Sequence, residues 1–111
     1  MVALSNRIVE TWTRGRTLSY IHYPLAEGAL PPSTDARYYQ PLRGVVLPSG
    51  TRFVAGFVHE SLSFAEHAHI LSAIEDARGE QVDVASACGL ERRTPADATQ
   101  ALELTRQLVA L

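Results

Sequence analysis

Segments with the character of a β-strand alternate along this chain with segments of helical character, and that order restricts the fold to a parallel sheet with covering helices. The stretch TLSYIHYPL (17 to 25) is rich in β-branched and aromatic residues, and Pro24 ends its capacity to donate backbone hydrogen bonds. A strand is expected over residues 17 to 22. A Pro-Ser-Gly turn (48 to 50) introduces RFVAGFVH, whose nearly continuous apolar run from 53 to 58 suits a strand covered on both faces. The third strand is expected in QVDVASACG (81 to 89), with Val82, Val84 and Ala85 turned inward.

Helical periodicity fills the intervals. In residues 3 to 14, Leu4, Ile8 and Trp12 recur four apart, and Gly15 follows as a stop. Ser33, Thr34 and Asp35 offer capping side chains to a brief helix carrying Tyr38 and Tyr39, which Pro41 and Gly44 keep short. Ser63 and Glu66 form an S-x-x-E capping box ahead of Ala65, Ala68, Leu71 and Ile74, and Gly79 closes that helix. The last helix opens at Thr94-Pro95, with Asp97 near the positive end of its dipole. Its expected buried stripe is Ala98, Ala101, Leu102, Thr105, Leu108 and Val109.

Strands starting roughly 30 to 35 residues apart match the length of a βαβ step. The expectation is an α/β fold forming one domain over residues 1 to 111, with no internal boundary. Three strands cannot close a barrel, so both sheet edges stay open unless something covers them. Self-association, a partner chain or a preceding segment is therefore expected. The chain also starts inside what reads as a helix, which suggests a part rather than a whole.

Charge narrows the partners. Ten basic residues against twelve acidic ones give a net charge of -2, and the basic residues form no stripe that could track a phosphate backbone. Nucleic acid is not an expected partner. The adjacent pair Arg92 and Arg93 reads first as a solvated turn and only secondarily as an anion contact. No apolar run approaches the roughly 18 residues of a membrane span. The single cysteine, Cys88, cannot form an internal disulfide, and the first residues carry no signal-like pattern; both features point to a reducing, cytoplasmic setting.

In parallel α/β folds chemistry gathers at the carboxyl ends of strands. His22, His59 and Cys88 each close one expected strand and are the candidate site residues. Each has an ordinary alternative, because a cysteine packs as a small hydrophobe and a histidine near an apolar run is commonly a hydrogen-bonded structural side chain. His67 and His69 lie two apart on a helix, do not share a face, and are expected at the surface. Glu60 and Ser61 follow His59 at the helix entrance and could orient it or touch a ligand, although ordinary capping and loop roles are the better reading. Tyr20, Tyr23, Tyr38 and Tyr39 suit either a pocket rim or packing beneath a loop. The seven glycines form no phosphate-cradling motif.

Two longer segments, FVAGFVHESLSFAEHAHILSAIEDAR and VDVASACGLERRTPADATQALELTRQLV, resemble the C-terminal end of the cobalamin-independent methionine synthases and their shorter relatives. These belong to the barrel superfamily that includes uroporphyrinogen decarboxylase. Upstream, YIHYPL and DARYYQPLRGVVLPSGTRF look like the preceding strand and linker of the shorter relatives. The most specific elements are the Cys-Gly followed by a basic pair, and the histidine that closes the preceding strand ahead of a capped helix.

The resemblance implies the last three βα units of a (β/α)8 barrel. It implies Cys88 as a zinc ligand and His59 as a proton donor, with His22 standing where the family has a metal-binding glutamate. The family's His-x-Cys pair would precede residue 1, which leaves at most two ligands in this chain where zinc normally takes three or four from protein. The implied function is zinc-assisted methyl transfer to a thiol, inactive in the isolated chain, with a small-molecule substrate. One alternative is a non-catalytic binding or assembly module that completes its sheet with a partner chain or as a homo-oligomer. Another is a decarboxylase-like barrel piece that needs no metal.

Overall fold

The alternation of residues along the central strand decides the layering. In the computed structural model, which covers residues 1 to 111, strand β2 (Arg52–Val58) is buried from Phe53 onward except for half-buried Val54. Strand β1 (Tyr20–Pro24) and strand β3 (Asp83–Ser86) pair with it on either side, both parallel, in the order β1-β2-β3. The alternating α/β order therefore produces the mixed α/β architecture with a parallel sheet that the sequence implies.

All helices lie on one side of this sheet. Helix α1 (Val2–Glu10) packs on a 3-10 helix (Ala36–Gly44), which packs on α2 (Phe64–Arg78), which in turn touches α3 (Pro95–Val109). Phe53, Ala55 and Phe57 share one core cluster with Ile70 and Ile74 of α2, and Tyr23 stacks on Phe53 at 5.1 Å between ring centroids. Leu104 and Leu108 of α3 complete the core. The other face carries Tyr20, His22 and Pro24 of β1, exposed, beside Arg52, Val54, Asp83 and Ala85. No helix covers it.

The strand ends differ from the sequence expectation in two places. β1 runs on through Pro24, because an edge strand has an outer side where a missing N–H leaves nothing unpaired, and Leu25 resumes pairing by donating to the Gly56 carbonyl at 2.8 Å. β3 stops at Ser86, three residues before the expected end, where the Ser86 hydroxyl donates to the Cys88 carbonyl at 2.7 Å and turns the chain. His22 thus sits mid-strand, and Cys88 lies in a loop.

The helix signals were sound at the ends and less so on the faces. Both halves of the Ser63–Glu66 capping box form, and Gly79 takes the left-handed conformation that ends α2, at φ 71°. Thr94 caps α3 through the Asp97 N–H, with Pro95 in the first turn. On α3, however, Ala101, Leu104 and Leu108 face the core, while Leu102 and Val109 of the expected stripe are exposed. On α1 the expected face of Leu4 and Ile8 points outward, and Trp12 lies past the helix end with its indole N–H donating to the Arg16 carbonyl. The buried α1 residue is Ser5, whose hydroxyl hydrogen-bonds the Tyr23 phenol. No helix is long and apolar enough to cross a membrane.

Candidate functional site

The turn from β2 into α2 is built around two histidines, His59 directly after the strand and His67 one turn into the helix. Both are buried, at 2% and 0% exposure. The His59 N–H donates to His67 Nε2 at 3.0 Å, and His67 Nδ1 lies 2.7 Å from the Ser63 carbonyl. A carbonyl only accepts, so His67 carries its proton on Nδ1 and is neutral. Burial first, and the nearby His59 to a lesser degree, push its pKa down against the opposing pull of Ser63 and Glu66. The expectation of a surface His67 is thereby corrected: the capping box rotates α2 so that position 67 faces the Phe57 ring, 5.9 Å away.

His59 accepts the Ser61 N–H at Nδ1, at 3.1 Å, so the neutral ring carries its proton on Nε2. That Nε2 has no hydrogen-bond partner. On the other side of the ring, Glu60 Oε2 is 3.8 Å from His59 Nδ1 and 3.3 Å from Arg93 Nε. The Glu60 and Arg93 side chains are each only 14% exposed. Arg93, expected as part of a solvated turn, instead reaches back and donates to the Gly28 carbonyl through Nη1. Arg92 is exposed. Glu60, read from sequence as an ordinary loop residue, is a half of this enclosed ion pair. A buried guanidinium needs a counter-charge, and the nearest carboxylate on the adjoining strand-end loop is Glu60.

His22 belongs to a separate arrangement on the uncovered face. Its Nε2 lies 3.0 Å from the Ser86 carbonyl, to which it donates, so the ring spans from β1 across β2 to β3. It can do so because residue 56 is glycine: a Cβ there would stand 2.5 Å from His22 Nε2. One register step away on the same face, the Arg52 guanidinium grips Asp83 with two hydrogen bonds, which hold the Asp83 carboxyl below its usual range. Cys88 is an exposed free thiol. Its nearest relation to the strand-end loops is Gly28, whose position for a Cβ lies 3.7 Å from the Cys88 sulfur.

The three residues singled out from sequence therefore occupy three different environments: an exposed sheet face, a buried turn and an exposed loop. No group of three or more His, Cys, Asp or Glu side chains is arranged to hold a metal ion. Sequence reasoning placed His67 at the surface and preferred ordinary roles for Glu60 and Arg93, although it weighed Glu60 as a residue that could orient His59.

Fold and site together define a parallel-sheet α/β protein with an enclosed His-Glu-Arg cluster at the carboxyl ends of its strands. Comparison with family models, curated proteins and solved structures finds no match for this chain.

Proposed function

We propose that this chain is a segment of a methionine-synthase-like (β/α)8 barrel that works only when another chain completes the sheet. In that assembly it serves methyl transfer to a thiol, with His59 as the proton donor. The observation that supports this reading is the order β1-β2-β3, all parallel, with every helix on one side and a polar face left uncovered on the other. A barrel wall has that layout: helices form the outer ring, and the opposite face lines the interior. The His59 cluster lies at the carboxyl ends of the strands, where such barrels place their chemistry.

The chain's own residues supply proton handling. His59 presents a proton on Nε2, and the Glu60 carboxylate stands 3.8 Å from Nδ1. Zinc supplies a Lewis acid and thiol activation in the resembled family; a zinc ion held here draws its remaining donors from the partner chain. A reducing compartment suits the exposed Cys88 thiol.

A second reading is favoured by the two unpaired sheet edges: an assembly module without chemistry, which pairs those edges with a partner or a second copy. Metal analysis on the purified protein, with and without Cys88→Ala, together with light scattering, separates the two. Stoichiometric zinc that is lost in the cysteine variant supports the enzyme segment. A metal-free but stable assembly supports the module, and a metal-free monomer that binds no partner overturns both.

A further inference from the structure

Arg93 reaches two other loops at the strand ends. It sits on the loop after β3, its Nη1 donates to the Gly28 carbonyl on the loop after β1, and its Nε lies 3.3 Å from Glu60 on the loop after β2. One side chain thus fastens all three loops at the carboxyl end of the sheet. Through Glu60 it also reaches the His59 imidazole, since Glu60 Oε2 stands between the two, 3.8 Å from Nδ1.

We propose that Arg93 is a positioning residue: it holds the Glu60 carboxylate against His59 and, by neutralising part of that charge, sets how readily His59 takes and gives a proton. The proposal rests on the reading of His59 as a proton donor, although its test does not require turnover. Three charged or titratable groups face His59: Glu60 from its own loop, His67 from α2, and Arg93 from the loop after β3. His67 is neutral and hydrogen-bonded to the His59 backbone, so Glu60 and Arg93 carry the electrostatic control. A carboxylate stabilises a neighbouring positive charge and a guanidinium opposes one, so the two partners act on the ring with opposite sign.

The chemistry of this pair differs from that of an exposed bridge. At 14% exposure on each side, neither partner is fully screened by solvent, and removing one leaves the other uncompensated. Loss of the arginine therefore leaves His59 next to a bare carboxylate. Loss of the carboxylate leaves it near a bare guanidinium. The two substitutions must displace the imidazole titration in opposite directions, which a general loosening of the fold cannot do.

The experiment is an NMR titration of the His59 ring in the full chain, assigned against His59→Gln. In Arg93→Gln the midpoint is expected to rise, and in Glu60→Gln to fall. Arg93→Lys, which keeps a charge, should bring the midpoint back toward the unsubstituted protein. The double variant Glu60→Gln, Arg93→Gln leaves no orphan charge and should titrate between the two single variants, so it keeps the test open if either single variant fails to fold. Displacement of both midpoints in the same direction, or a double variant outside the interval, overturns the proposal. A correct pattern in a chain that never supports methyl transfer in any assembly leaves the clamp standing and removes the functional reading instead.

Discussion

Gly56 shows how one absent side chain organises a sheet face. A methyl group there would meet His22 Nε2 at 2.5 Å and the Tyr23 carbonyl at 2.9 Å. Gly56→Ala should therefore displace the imidazole from Ser86 and lower stability by about 1 to 3 kcal/mol, read from urea denaturation followed by circular dichroism. His22→Ala in the same background should recover part of the loss, but not the share due to the carbonyl. His67 makes a prediction of another kind. Its ring is neutral in the folded protein with a depressed pKa, so the unfolded chain binds more protons between the ordinary histidine value and the folded one. Stability should fall as pH drops through that window and level off below it. His67→Gln should flatten that slope in denaturation curves taken across the same range; an unchanged slope would assign it to another group.

At the scale of elements, what could be read in advance was whatever local chemistry determines. The capping box at Ser63 and Glu66, the left-handed Gly79 and the Thr94-Pro95 opening all form as the sequence implies, since caps depend on neighbours a few residues away. Ser63→Ala should cost about 1 kcal/mol and appear as earlier melting of α2. Helix faces were less legible, because α3 carries apolar residues on more than one side and only packing decides between them. The sheet took Leu104 and left Leu102 in solvent. On α1 the hydroxyl of Ser5, tied to Tyr23, outweighed the apolar pair Leu4 and Ile8. The same limit hid the site: His67, Glu60 and Arg93 come together only after three loops have converged, and no spacing along the chain encodes that meeting.

For the molecule as a whole, the sheet has one central strand and two open edges. β2 is paired on both sides and shielded by α2, whereas β1 and β3 each leave one backbone edge unpaired. Hydrogen exchange should accordingly be slowest in residues 53 to 58, and faster in β1 and β3 of the isolated chain. Binding of a sheet-completing partner should slow exchange at an edge and leave β2 little changed; protection confined to the outer helices would argue against sheet completion. Trp12, meanwhile, is the chain's only indole and lies beyond α1, the residue 42% exposed. Its fluorescence is therefore an intrinsic reporter of the N-terminal segment, and an emission change could signal detachment of that segment while the parallel strands remain intact.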